Sequence, residues 1–272
     1  MKDAACVAFL QWALPRLHLR WPGFRKVRRQ VCKRVARRLD DLGLPDVSAY
    51  PSYLETHPDE WPVLDELCWI SISRFYRDRG VHTFLERAVL PELAQLAGAS
   101  GERALRCWSA GCASGEEPYT LAILWRLALA PRFPDVTVQV LATDVDQRAL
   151  DRAERGWYPA SSLKELPASW LDQAFVRVAG GFSLRDELRK AVTFVRQDLR
   201  KEAPEGPFHL ILCRNLAFTY FDLEVQRAVL DRILSRLAPG GALVIGSLES
   251  LPEVGEALEP WSARCGVFRK SR

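Results

Sequence analysis

The stretch Trp108-Ser109-Ala110-Gly111-Cys112-Ala113-Ser114-Gly115-Glu116-Glu117-Pro118-Tyr119 decides how this chain is read. An apolar run over 105–109 feeds a loop with glycines at 111 and 115, and two glutamates then open a helix expected over 116–130. Strand, glycine-containing loop and helix in that order suit a nucleotide-like cofactor. Gly111 and Gly115 let backbone approach such a ligand closely. The charges narrow the choice. A helix N-terminus attracts anions, but Glu116 and Glu117 in the first turn would repel a pyrophosphate and suit a cationic ligand. No Walker A lysine follows and no complete GxGxxG is present, which argues against a P-loop or a standard dinucleotide site.

Outward from this unit the pattern repeats. Short apolar runs at 105–109, 136–142, 192–195, 208–213 and 242–246 read as strands. Helical stretches at 116–130, 147–154 and 223–237 lie between them. Alternation of this kind predicts a parallel sheet covered on both faces. Pro239-Gly240-Gly241 is a turn into the last of these strands, and the tail 265–269 is a candidate closing strand. Leu141-Ala142-Thr143-Asp144 is a strand ending in an acid, where ribose hydroxyls are commonly bound. Asp198 and Leu199 follow the next strand. Arg214 and Asn215 end the strand after that, with Tyr220-Phe221-Asp222 beyond.

The first hundred residues read differently. Phe24, Val27, Val31, Val35 and Leu39 make one apolar helical stripe, while Arg25, Arg29, Lys33 and Arg37 make a basic stripe on another face. Further helices are expected over 47–56, 61–70 and 81–97, the last interrupted near Pro91. Gly98-Ala99-Ser100-Gly101-Glu102 is the candidate linker. The expected organisation is a helical domain over 1–97, a linker to about 103, and an α/β domain over 104–272.

Composition bounds the function. With 272 residues, 48% hydrophobic and 26% charged, the chain is that of a soluble globular protein. No apolar run reaches the roughly 18 residues of a membrane helix, and the start at Met1-Lys2-Asp3 does not suit a secretory signal. The net charge of +4 is too small to imply nucleic acid by itself. Seven cysteines show no CxxC or Cys/His spacing, so reduced, mostly buried thiols in the cytoplasm are expected.

The motifs at 111–119, 142–146 and 213–222 together resemble the CheR-type chemotaxis receptor methyltransferases, and the resemblance runs from about Phe24 to Phe268. It implies a Rossmann-like class I methyltransferase sheet with a small all-helical N-terminal domain. It implies S-adenosylmethionine as cofactor, S-adenosylhomocysteine as product, and a protein glutamate as acceptor. Carried over residue by residue, Ser71, Ser73, Arg77, Gly111, Glu117, Asp144, Asp198, Leu199, Arg214 and Asn215 would bind the cofactor. Arg77 and Tyr220 would orient the acceptor, and Arg29, Lys33 and Arg37 would face it. Ser71 and Ser73 stand where the family usually has Asn and Thr. One extra residue lies between Asn215 and Tyr220.

The implied partner is an acidic helical protein such as the cytoplasmic region of a chemoreceptor, with no nucleic acid, no metal and no membrane insertion, and with the enzyme a monomer. Three other readings stay open. They are the same fold acting on a small carboxylic acid or another protein, an RNA methyltransferase, and a non-catalytic cofactor-binding signalling module.

Overall fold

The computed structural model describes residues 2–99, 101–253 and 255–271. Ser100, inside the expected linker, lies outside them. The chain forms two compact units. The first comprises the chain up to Ile70 together with Leu216–Gln226, and the second comprises Ser71–Asn215 and the chain from Arg227 onward.

The second unit is built on a seven-stranded sheet. Its strands are β1 (Ala104–Ala110), β2 (Thr137–Asp144), β6 (Val192–Arg196), β7 (Phe208–Cys213), β8 (Leu237–Ile245), β9 (Leu258–Ser262) and β10 (Val267–Lys270). A separate three-stranded sheet contains β3 (Trp157–Tyr158), β4 (Phe175–Val178) and β5 (Gly181–Leu184). The main order is β6-β2-β1-β7-β8-β10-β9. The first five strands in that order pair in parallel, whereas β10 runs antiparallel to both β8 and β9. The chain leaves β1 towards β2 and β6, then returns to β7 on the other side of β1. That reversal is the switch point at which such sheets bind ligands.

Leu105, Cys107, Val140, Leu210 and Leu212 face a core with Leu85, Val89, Leu93, Leu121 and Leu124 from the helices over 79–99 and 116–129. The helices of 79–99 therefore belong with the sheet and not with the N-terminal helices. They run through Pro91 without a break. A π-turn over Leu85–Val89, closed by Leu90 N–H bonding to Leu85 O, precedes the proline and absorbs its missing donor.

Cover on the opposite face is incomplete. Thr137, Gln139, Thr193 and Val195 are exposed, because residues 197–207, which join β6 to β7, contain no helix. The expectation of two covered faces thus holds for only part of the sheet.

In the first unit the helix begins at Arg28 and runs to Asp41, later than the expected start at Phe24. Phe24 ends a short separate helix, Trp21–Phe24. Val31, Val35 and Leu39 bury one stripe completely or nearly so, each contributing about 2 kcal/mol. Arg29, Lys33 and Arg37 are exposed on the other side. The remaining basic residues are engaged within the unit: Arg28 with Asp3 at 3.1 Å, Arg34 with the Leu67 and Trp69 carbonyls, and Arg38 with Glu60 at 2.7 Å.

Cys6 and Cys32 form a disulfide between this helix and Asp3–Ala13, so reduced thiols are not found throughout. The pair was hidden because helix packing, not sequence spacing, brings it together. Residues 216–226 join this unit through a bridge between Leu19 and Phe221 and through Arg20, which donates to the Phe218 and Thr219 carbonyls. Phe24 meets the Tyr220 ring edge-on at 5.0 Å.

Two buried carboxyls generate opposite predictions. Glu60 accepts from Arg38 Nε and Nη2 and from Tyr50 Oη at 2.7 Å, and Arg38 holds its carboxyl below the usual range. Glu60→Gln should cost about 3 kcal/mol in urea denaturation, the lower end for breaking a buried pair, since the Arg38 side chain is 29% exposed.

Glu116 has no bidentate partner. Burial pushes its carboxyl from 4.5 up to about 7, and its Oε2 has no hydrogen-bond partner. The folded state therefore holds this proton more tightly than the unfolded chain. The resulting stability is full below pH 4.5 and is lost as pH rises through about 7. Glu116→Gln should gain stability over the parent between pH 4.5 and 8, approaching about 3 kcal/mol, as read by denaturation at each pH.

Candidate functional site

The site forms at the carboxyl ends of β1, β2 and β7. After β1 the loop folds back, and Gly111 and Cys112 N–H both donate to Thr143 O, at 2.8 and 3.0 Å. Gly115 takes φ +88°, and a side chain there would strike Ala153 Cβ at 2.8 Å and Tyr158 Oη at 3.1 Å. Only glycine fits this turn. Tyr158 Oη donates to Ser114 O at 2.7 Å and Arg152 Nε donates to Ser114 Oγ at 3.1 Å, so the loop is held from two sides.

Asp144, at the end of β2, is half-buried. One oxygen accepts from Ala113 N–H at 2.8 Å and the other from Asp146 N–H at 2.9 Å. Each oxygen keeps a lone pair for a hydroxyl donor. Burial pushes this carboxyl up, and the backbone donors pull it back. Asp146 is committed elsewhere, since it caps the helix Gln147–Arg155 through Arg148 and Ala149 N–H.

Of the two glutamates that open the helix, only Glu117 joins the group of charged side chains at the strand ends. Its Oε1 accepts from Ser109 Oγ at 2.8 Å and its Oε2 from Arg214 Nη1 at 3.2 Å. Burial raises this carboxyl, while Arg214, the Ser109 hydrogen bond and Arg77 oppose the shift. The Arg214 side chain, 2% exposed, also reaches Asp78 Oδ2 at 2.6 Å and Arg77 O at 3.3 Å. Arg77 donates to Ile72 O at 3.1 Å and to Asn215 Oδ1 at 3.4 Å. Asn215 takes φ +55°, and its N–H donates to Glu249 Oε2 at 2.8 Å. Thus Arg77, Glu117, Arg214 and Asn215 form one contiguous group.

Ser71 and Ser73 are half-buried in the extended segment before Phe75. Leu199 is buried, and Asp198 pairs through both oxygens with Arg200, at 3.0 Å each. Gln197 N–H donates to Asp144 O at 2.9 Å, so the turn bearing Asp198 lies beside Asp144. Tyr220, Arg29, Lys33 and Arg37 belong to the first unit.

Motif reading missed Ser109, Asp78 and Glu249. A serine one residue before the strand end and an acid directly after Arg77 were the available signals. Cys112 is no rival nucleophile, because burial and the nearby acids hold its thiol well above its usual range.

The donor set fits S-adenosylmethionine. Glu117 offers a buried carboxylate to an ammonium, Asp144 offers two acceptors to a ribose, and the glycine loop offers close backbone.

Comparison with known proteins agrees. Residues 71–267 match the family described as CheR methyltransferase, SAM binding domain. A chemotaxis protein methyltransferase of Listeria innocua is 37% identical over 192 residues, 70% of each chain. The one from Escherichia coli is 34% identical over 234 residues, 82% of this chain and 77% of that one. An uncharacterized 104.1 kDa protein of Rhodobacter capsulatus is 33% identical over 245 residues, 89% of this chain, and the chain spans only 25% of that relative's length. With the matched segment covering all of the sheet but the last residues of β10, and every residue of the charged group, the chain belongs to the CheR family of S-adenosylmethionine-dependent methyltransferases.

Proposed function

We propose that this protein esterifies glutamate side chains of an acidic helical protein, of the kind found in the cytoplasmic region of a chemoreceptor, and that it works in the cytoplasm. The observation that carries this reading is the group of Arg77, Asp78, Glu117 and Arg214 beside Asp144 at the switch point.

S-adenosylmethionine supplies an electrophilic methyl. Glu117 would hold its ammonium, Asp144 its ribose, and the turn at Asp198 and Leu199 its adenine, with Ser71, Ser73, Gly111 and Asn215 completing the contacts. An ionised glutamate is already a nucleophile, so the protein need not remove a proton. Its task is to strip water from the acceptor and align it. Arg77 and the Tyr220 hydroxyl would do this with charge-assisted hydrogen bonds. The exposed stripe of Arg29, Lys33 and Arg37 would attract the acidic partner and set its register. The exposed Val176 and Val178 lie on β4, which among the described residues pairs only with β5, and suit an added strand from a partner's tail.

The test is methyl transfer from labelled S-adenosylmethionine into a lysate of the source cells, followed by base treatment. Label in a protein band should be released as methanol. Base-stable label overturns the carboxyl acceptor and points to nitrogen or RNA. Cofactor binding without any transfer points to the non-catalytic module. With the methyl ester in hand, replacing Arg29, Lys33 and Arg37 together by alanine should lower transfer about tenfold at low salt and much less at high salt. The affinity for cofactor, measured by calorimetry, should stay unchanged.

A further inference from the structure

Asp78 occupies an unusual position. It precedes the helix Arg79–Phe84 at the site where an aspartate commonly caps a helix, yet its side chain makes no cap hydrogen bond. Its backbone is left-handed at φ 64° and ψ 65°, a conformation that few non-glycine residues adopt. The carboxylate turns instead to Arg214, at 2.6 Å. An unusual backbone geometry that the surroundings maintain is a feature of functional sites.

The charges explain what this geometry accomplishes. Arg214 is buried and lies between Asp78 and Glu117. Arg77 acts electrostatically on Glu117 as well. Asp78 and Glu117 are the two carboxylates paired directly with Arg214. Without Asp78, Arg214 would turn wholly to Glu117, and a further cation would enter a poorly solvated site that has lost a negative charge.

We infer that Asp78 is a positioning residue that draws Arg214 away from Glu117 and so leaves the Glu117 carboxylate able to take the cofactor's ammonium. The inference rests on the reading of Glu117 as the ammonium acceptor. It assigns to Asp78 a role exerted through Arg214.

A merely structural salt bridge would weaken all ligands alike, so the test compares two of them by calorimetry. S-adenosylhomocysteine carries the amino-acid end, and 5′-deoxy-5′-methylthioadenosine shares the nucleoside but lacks that end. Asp78→Asn is nearly isosteric, and asparagine tolerates the left-handed backbone. In the full chain, D78N should raise the dissociation constant of S-adenosylhomocysteine about tenfold and leave that of methylthioadenosine within twofold. D78E, which restores the charge, should recover part of the loss. Equal weakening of both ligands, or of neither, overturns the inference. Glu117→Gln, run in parallel, checks the underlying reading. If E117Q does not selectively weaken S-adenosylhomocysteine, Glu117 is not the ammonium acceptor and both conclusions fall. If E117Q is selective and D78N is not, only the role of Asp78 falls.

Discussion

Arg214 directly follows β7, a strand buried along its whole length, and its guanidinium enters the interior between carboxylates drawn from distant parts of the chain. A buried cation without partners is expensive, and removing one partner of such a pair costs about 3–5 kcal/mol. Satisfying Arg214 therefore constrains three segments together. Glu117 must come from the helix after β1, so β1 and β7 must be neighbours in the register that pairs Trp108 with Ile211 and Ser109 with Leu212. Ser109, next to the end of β1, then lies within reach of Glu117. Asp78 must come from the segment ahead of the helices over 79–99, which brings Arg77 to Asn215. The loop 111–115 closes over this arrangement only because Gly115 has no side chain to strike Ala153.

Much of this was legible in the sequence, for an identifiable reason. Strand, glycine loop and helix are local patterns, and the residues that carry the site lie at strand ends, where local pattern fixes position. Asp144 reads from its place at a strand end, whereas Glu117, Arg214 and Asn215 come from the family resemblance. What escaped depends on contacts between remote segments. Cys6 and Cys32 are 26 positions apart and meet only because two helices pack together. Residues 216–226 follow β7 in sequence yet fold with the N-terminal helices, through Arg20 and Leu19. The helices of 79–99 read as part of a helical domain because periodicity shows that a face is apolar and not what it covers. Asp198 stands at a motif position, but nothing local announced that Arg200, two residues on, would hold both its oxygens.

The meeting of both signs of charge at the switch point has a consequence for the proposed reaction. A carboxylate acceptor is an anion and a sulfonium is a cation, and transfer of the methyl between them cancels both charges. A transition state less charged than its reactants is favoured where water is excluded. A strongly negative site would repel the acceptor, and a strongly positive one would hold the carboxylate so firmly that it would lose nucleophilicity. The pairing of Arg77 and Arg214 against Asp78 and Glu117 avoids both extremes. Attraction of an acidic partner is then best supplied elsewhere, by exposed charge acting at long range. The stripe of Arg29, Lys33 and Arg37 has that character, since its neighbours Arg28, Arg34 and Arg38 are tied to Asp3, to backbone carbonyls and to Glu60. In the proposed function, recognition by exposed charge and chemistry at the strand ends would fall to different residues, so either could change without disturbing the other.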